Sequence, residues 1–482
     1  MPAMKRAFSN VSWLFVSQVG RIVTQLVGVS VIARLLTPAD FGVIAIALMV
    51  SNLAGLLRDM GTGPAAIRSQ DGSPLFLGGI YSVQLMISIV LAAVILLLAL
   101  PMAQFYRIES LASVLVLFAV VFPLSALGGV HLIALERAQR YREISMIELF
   151  SYAVGLAVAV VLARMGLGVE SLAYQAVTNA LVQTVLMRRV AAVRIVPTHP
   201  RHARSAASGS AAVSSYHLLN YVVRNSDTAL AGRLAPPDFV GAYSMANRIA
   251  QMPAQLIGML VSRVSVPMLS GNGLSRQEQS RNVENLVGLA LLVSAAVCLL
   301  LVSLRQHITE LVFGAQWLTI VPPQLVWLLP AAALTSTTAV LVGVMTALGA
   351  KRQLTSTGVL SAACHLGILT GVIFIDIKWL PSAILLSAIA SFALAVLHLR
   401  ALQNEQGLQP LRFLFLIPVV PLIAYPVWQD TMLFFGKAGT RALRTEITES
   451  AVTIAVLLAC SLWQWREWVE RLRGFQSKVK AS

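Results

Sequence analysis

From Gly72 to Tyr106 the chain contains no Asp, Glu, Lys or Arg. A helix needs roughly 20 mostly apolar residues to cross the hydrocarbon of a bilayer, and a helix apolar on every side has no face to turn to water. Runs of this kind recur. They predict about fourteen transmembrane segments, at residues 11-36, 41-57, 76-100, 111-135, 146-165, 169-188, 207-233, 239-262, 283-303, 318-348, 354-375, 379-399, 411-428 and 447-466, joined by short loops. A membrane β-barrel would show ten-residue segments of alternating polarity instead. Hydrophobic residues make up 57% of the 482 positions and charged residues 12%, too little polar surface to keep such a chain soluble. The expected fold class is therefore an all-α polytopic membrane protein.

The net charge of +16 does not read as a nucleic-acid footprint, because its distribution follows the loops. Basic residues collect on the cytoplasmic side of membrane proteins. With the N-terminus inside, and residues at span ends counted with the adjoining loop, 24 of the 36 Lys and Arg residues fall in cytoplasmic segments, 9 in outer loops and 3 deep within spans. Arg137, Arg140 and Arg142, then Arg188, Arg189, Arg194, Arg201 and Arg204, and the tail from Arg466 to Lys480 supply most of the inner set, and their role is topological. Both termini are expected in the cytoplasm. Lys437, Arg441 and Arg444 in the predicted outer loop 429-446 run against the pattern. The first span follows Lys5 and Arg6 as a signal peptide would, but no A-x-A-like site precedes the next loop, so it is expected to be retained. Cys298, Cys364 and Cys460 all fall in spans, where packing rather than disulfide chemistry is expected.

The strongest internal signal is a repeat. Ala33-Arg34-Leu35-Leu36-Thr37-Pro38-Ala39-Asp40-Phe41-Gly42 returns as Ala231-Gly232-Arg233-Leu234-Ala235-Pro236-Pro237-Asp238-Phe239-Val240-Gly241, with one residue missing and one added. Each motif alone is explained as a turn, Pro setting φ and Asp capping the next helix. Turn chemistry does not explain why both follow the first span of a six-span block. Two blocks running in the same direction are related by an axis along the membrane normal. The expected organisation is a six-helix bundle over residues 1-195, a cytoplasmic linker at 196-210, a second six-helix bundle over 211-402, and two extra helices with a basic tail over 403-482.

Polar residues inside spans are costly and mark function. His217, Asn220, Arg224 and Asp227 are spaced by three, four and three residues, which places them on one face of a continuous helix. Aligning the repeats at Arg34 and Arg233 sets Arg21 opposite Asn220, Gln25 opposite Arg224 and Gly28 opposite Asp227, giving span one a stripe of Ser17, Arg21, Gln25 and Gly28. Arg248 is a third basic residue within a span. Two such stripes describe a central cavity of positive character, and the planar fork of Arg suits phosphate. Arg21, Arg224, Arg248, Gln25 and Asn220 are the candidate substrate-binding residues. Arg224 and Asp227 also have the spacing of a structural ion pair. Asp227, His217 and Glu148 are candidates for ion coupling or for structural roles, Glu148 either as a proton carrier or as a partner of Arg142. His365 and His398 lie in apolar stretches and are expected to be core or interfacial residues.

The chain contains no G-x-x-x-x-G-K-[ST], no H-E-x-x-H and no Cys-x-x-Cys. Neither P-loop nucleotide binding, nor a metal site, nor a cofactor is expected. A surface enzyme such as a polymerase or ligase needs a large outer loop to hold its groups, and the longest here is about 18 residues. Transport without ATP is the expected activity.

The stretches Ala33 to Gly42 (ARLLTPADFG), Leu135 to Gly155 (LERAQRYREISMIELFSYAVG), Gly166-x-Gly168-Val169, Asn220 to Gly241, Tyr243-x-x-Ala246-x-Arg248 and Pro253 resemble the polysaccharide flippases of the multidrug/oligosaccharidyl-lipid/polysaccharide exporter superfamily, in the bacterial branch serving colanic-acid-like and xanthan-like exopolysaccharides. The likeness covers about the first 400 residues. It implies two six-helix bundles forming a V around a central cavity, alternating access, and an undecaprenyl-diphosphate-linked oligosaccharide moved across the bacterial inner membrane, with membrane lipids around it and a polysaccharide polymerase and co-polymerase as partners. In the second half the motif is shortened to Ala235-Pro236-Pro237. Two other functions fit the superfamily: a peptidoglycan lipid precursor flippase, which shares the cationic cavity, and a multidrug/cation antiporter, which wants an acidic, aromatic-lined one.

Overall fold

The computed structural model describes residues 24–59, 73–191, 196–203, 211–269 and 275–408, with the single positions 66 and 424. Among these residues the regular structure is all helical. The helices are α1 (Thr24–Ala33), α2 (Pro38–Asp59), α3 (Pro74–Tyr106), α4 (Ser110–Arg137), α5 (Tyr141–Arg164), α6 (Glu170–Ala191), α7 (Ala211–Arg224), α8 (Ser226–Leu234), α9 (Pro237–Leu269), α10 (Arg276–Ser303), α11 (Arg305–Phe313), α12 (Pro322–Ala347), α13 (Lys351–Ile375) and α14 (Leu380–Glu405). Eight stretches, in α2 to α5, α10 and α12 to α14, are long and apolar enough to cross a membrane. The expected spans 2 to 6 and 8 to 12 each fall on one of these helices to within a few residues. Spans 411-428, apart from position 424, and 447-466 lie outside the described residues.

The helix ends follow local chemistry. Ser73 caps α3, its Oγ accepting from the Phe76 amide at 3.2 Å ahead of Pro74 in the first turn, and Ser275 and Glu278 close a capping box on α10. Between α5 and α6 the chain turns through Gly166 (φ +88°) and Gly168 (φ +56°), a backbone region glycine enters without steric cost.

By contact the chain divides into two compact units, residues 1–244 with 310–317, and residues 245–309 with 318–482. In the first, α4 packs against α3 and α6, and α5 against α6. Small residues let these backbones approach, as expected where lipid removes the hydrophobic drive for helix association. A Cβ at Gly155 would lie 2.9 Å from the Gln175 carbonyl oxygen, and one at Gly128 would lie 2.9 Å from Thr184 Oγ1. Phe76, Leu77, Ile80, Tyr81, Val130 and Ile133 form one buried cluster of this unit. In the second unit, α12 packs on α10 and α14, and α13 on α14. Polar side chains join these helices: Ser294 to Ser336 at 3.0 Å, His365 Nδ1 to Ser387 Oγ at 2.6 Å and His398 Nδ1 to Thr357 Oγ1 at 2.7 Å. His365 and His398, expected to be core or interfacial residues, are half-buried and bridge helices. Phe374 and Ile375, 87% and 73% exposed, give α13 the apolar outer face of a lipid-facing helix.

Several loops are tied down by hydrogen bonds and a ring contact. Among the segments assigned inside, Thr198 donates its amide to Gly78 O (3.2 Å) and its hydroxyl to Leu75 O (2.7 Å), Arg137 donates to Ala66 O (3.0 Å), and Arg140 to Val190 O (3.1 Å). Among those assigned outside, Arg34 donates to Leu311 O (2.8 Å), and the Arg233 guanidinium lies 5.3 Å from the centre of the Phe105 ring.

Candidate functional site

The two copies of the repeated motif meet within the first unit. Thr37 and Asp40 cap the start of α2: Asp40 Oδ2 accepts from the Thr37 amide (2.9 Å) and hydroxyl (2.8 Å), and Thr37 Oγ1 accepts from the Asp40 amide (3.3 Å). In the second copy Ala235 replaces Thr37 and the chain enters α9 through extended backbone (φ −106°, ψ 156°) and two prolines. A Cβ on Gly42 would stand 2.1 Å from Pro237 O, and one on Gly241 would stand 1.9 Å from Pro38 O. The contact is reciprocal, pairing Pro38 with Pro237 and Gly42 with Gly241. Each glycine follows its proline by four residues, so the extra Val240 offsets the lost residue before Pro237. Reciprocity of this kind is what a two-fold relation between repeats produces.

The seventh expected span, 207-233, is not one helix. It is interrupted at Asn225 (φ −110°, ψ 7°) between α7 and α8. Short polar side chains compete with the helix here: Asn225 Nδ2 donates to Tyr221 O at 2.8 Å and Ser226 Oγ to Val223 O at 2.6 Å. The expected single stripe of His217, Asn220, Arg224 and Asp227 is corrected accordingly. Asn220 and Arg224 are exposed on α7, whereas Asp227 is buried at the start of α8. The Asp227 carboxylate accepts from the Tyr243 hydroxyl on α9 and, at 2.6 Å, from the Thr228 amide. Among the described residues no ion pair joins Arg224 to Asp227. Tyr221 ties α7 to α2 through its hydroxyl, which donates to Met49 O at 2.8 Å.

The other candidates fall as follows. Gln25 is half-buried on α1 and Glu148 half-buried on α5, while Arg248 is exposed on α9 in the second unit. His217 lies on α7. Arg21 and Ser17 lie outside the described residues. Gly28 does not line a polar stripe: it is buried, and a Cβ there would stand 2.4 Å from Tyr152 Oη. The arginines used to align the repeats serve packing, Arg34 on Leu311 O and Arg233 over Phe105.

Two residues escaped the sequence reading. Tyr243 belongs to the Tyr243-x-x-Ala246-x-Arg248 motif, but its bond to Asp227 joins two helices and leaves no local spacing. Trp317 is fully buried, and its Nε1 donates to Ala33 O at 2.9 Å across 284 positions. A Trp beside a Gln in a short loop of so apolar a chain was the available signal.

Comparison with known proteins gives a consistent placement. The chain aligns at 26% identity over 315 residues with the succinoglycan biosynthesis transport protein ExoT of Rhizobium meliloti (strain 1021), covering 65% of this chain and 64% of that protein. It aligns at 25% with the teichuronic acid biosynthesis protein TuaB of Bacillus subtilis (strain 168), covering 67% and 68%, and at 22% with the lipopolysaccharide biosynthesis protein WzxC of Escherichia coli (strain K12), covering 67% and 66%. The match to ExoT spans slightly less than two thirds of its length. Among solved structures, the fold matches the lipid II flippase MurJ in an inward closed conformation with a TM-score of 0.67 at 10% identity, covering 94% of this chain and 99% of that one. It matches a multidrug resistance MATE family transporter in an inward-facing conformation with a TM-score of 0.56 at 12% identity, covering 79% and 95%. The polysaccharide biosynthesis protein family matches residues 31–322, more than half of the chain, and the chain belongs to that family.

Proposed function

We propose that the protein is a flippase that carries an undecaprenyl-diphosphate-linked oligosaccharide repeat unit from the inner to the outer leaflet of the bacterial inner membrane for exopolysaccharide synthesis. It does so by alternating access between two six-helix halves, residues 1-195 and 211-402, joined by a cytoplasmic linker at 196-210 and followed by two further helices at 403-482. Both termini lie in the cytoplasm. It is a transporter and not a catalyst, and a polysaccharide polymerase and co-polymerase take up its product.

The observation that carries the reading is Arg224, exposed beside exposed Asn220 on α7, within the stretch 207-233 expected to span the membrane, in a chain of the polysaccharide biosynthesis family. A guanidinium held open among apolar helices is expensive unless it faces a cavity or a ligand, and a diphosphate offers it paired acceptors. Arg21, Arg224 and Arg248 take the diphosphate, and Gln25 and Asn220 bind the diphosphate or first sugar. Asp227 is structural in this reading through its bond to Tyr243, and Glu148 and His217 are left for coupling or support. The relatives' names, which speak of succinoglycan transport, teichuronic acid and lipopolysaccharide, support a polyanion or glycolipid cargo. A cation antiporter of the same fold would need acidic groups where this chain has basic ones.

The test is flipping itself. Purified protein in liposomes, given a fluorescent undecaprenyl-diphosphate oligosaccharide in one leaflet, should make the label accessible to an outside glycosidase faster than empty liposomes do. Equal rates, with the same protein moving a lipophilic cation instead, would assign it to the drug exporters.

A further inference from the structure

We propose that the end of α3, with Arg107 and with Arg233 of α8, is a docking site for the diphosphate of the lipid-linked oligosaccharide once it has reached the outer leaflet; this rests on the flippase reading above. All of its residues belong to the first compact unit. Gly232 lets α8 close on the last turn of α3, since a Cβ there would stand 2.9 Å from Tyr106 Cε1 and 2.9 Å from Ile46 Cδ1. The buried Tyr106 meets Phe105 edge-on with ring centres 5.1 Å apart, and the Arg233 guanidinium lies over the Phe105 ring at 5.3 Å. The helix then stops at Arg107, which takes the left-handed C-cap (φ +58°, ψ +39°), its amide donating to Ala103 O and Gln104 O.

Stacking on a ring uses the flat face of a guanidinium and leaves its N–H fork free at the edge. Among the described residues no hydrogen bond or ion pair occupies the guanidinium of Arg233 or of Arg107. Two open forks at a helix end assigned outside run against the tendency of basic residues to stay on the cytoplasmic side. Paired phosphates are the acceptors that such forks fit. The lipid half of the ligand has a matching surface on the same helix. Leu97 and Leu100, one to two turns before Phe105, are 77% and 67% exposed, and Phe105 itself is 56% exposed. A polyprenyl chain lying along these side chains brings its diphosphate level with the end of α3. An aromatic residue at the bilayer surface is ordinary, but here the ring carries an arginine whose donors have no acceptor within the protein.

A photoreactive p-benzoylphenylalanine in place of Leu100 reads the site locally, so lipid held elsewhere in the protein does not contribute. The full-length protein, purified in detergent, is irradiated with radiolabelled undecaprenyl diphosphate. Label should attach at this position, and Arg107→Ala with Arg233→Ala should lower its yield by about tenfold or more through the loss of charge-assisted contacts. Phe105→Ala takes the ring from beneath Arg233 and should lower it by about twofold to fivefold. Arg281→Ala with Arg352→Ala removes the same charge from exposed positions of the second unit and should change nothing. Undiminished label in the Arg107 and Arg233 variant, or an equal fall in the control, overturns the site. So does full displacement by equimolar phosphatidylglycerol, which would make it a seat for ordinary phospholipid, or equal labelling by undecaprenol, which would leave only an apolar track. The two readings fail separately. If label attaches as expected but the protein moves no lipid-linked oligosaccharide in liposomes, the diphosphate site stands and the flippase assignment is wrong; if the protein flips and no label attaches, the flippase assignment stands and the site is wrong.

Discussion

Gly42 and Gly241 face each other so closely that neither has room for a methyl group, since a Cβ on either would strike the carbonyl oxygen of the proline that opens the other's helix, at 2.1 Å and 1.9 Å. Backbone, not a flexible side chain, blocks the space. The repeat therefore marks a contact point between its two copies, and its glycines are required by that contact rather than by any turn.

Gly42→Ala and Gly241→Ala should each cost about 1–3 kcal/mol through overpacking, lowering the thermal midpoint of the detergent-purified protein and reducing polymer export. Gly55 is on the same helix as Gly42 with nothing within 4 Å of its Cβ position. Gly55→Ala should be neutral or stabilising, by up to about 1 kcal/mol from helix propensity. Equal melting of Gly42→Ala and Gly55→Ala would remove the contact argument.

Asp227 accepts from Tyr243 and Thr228, so Tyr243→Phe should destabilise by about 1–3 kcal/mol, the penalty for a buried acceptor losing a donor. Arg224→Ala, exposed on α7, should leave stability within about 0.5 kcal/mol. The double variant should show the sum of the two effects. A double variant more stable than Tyr243→Phe alone would mean that Arg224 and Asp227 are coupled after all. Thermal unfolding followed by tryptophan fluorescence in detergent reads all three.

The membrane fold was legible because its cause is one-dimensional. A charge-free run such as Gly72 to Tyr106 has only one solvent that will accept it. The repeat was legible too, down to the residue gained and lost, although only the Gly42 and Gly241 contact explains why the gaps cancel. The break at Asn225 was not. It contains no Pro or Gly, and its cause is a competition between side chain and backbone that an apolar moment averages away. Gly28 was misread for the opposite reason: aligned with Asp227 it looked like part of a stripe, while its real constraint is Tyr152, 124 positions away. Contacts between distant segments, such as Trp317 on Ala33, leave no period in the sequence to find.

Reporter fusions should place both the linker at 196-210 and the tail beyond Arg473 in the cytoplasm. Thr198 is hydrogen-bonded to Gly78 and Leu75 at the start of α3, so the linker shares a side with that helix end whatever the orientation. A phosphatase fusion active at the linker would turn the whole scheme over, because the basic residues that predicted N-in would then be outside.

The last prediction separates a positive charge that grips phosphate from one that only sets topology. Arg21→Ala and Arg248→Ala should each lower polymer export in a deletion host by about ten- to a hundredfold, the loss of one charge-assisted contact worth about 1.5–3 kcal/mol, at normal membrane levels. Arg224→Ala should do the same, since its exposure on α7 beside Asn220 leaves it a ligand-facing role and not a stabilising one. Arg140 is held by Glu143 and Val190 O at the start of α5, among the residues assigned to the cytoplasmic side, and Arg140→Ala and Arg204→Ala should be mild. Lys in place of Arg21 or Arg248 keeps the charge and loses the paired geometry, so export should fall between wild type and Ala. If both Ala variants export at the wild-type rate, the cationic cavity is not where the diphosphate binds. If the Lys variants are as dead as the Ala variants, the fork rather than the charge is what the substrate needs, which strengthens the case for a bidentate phosphate contact.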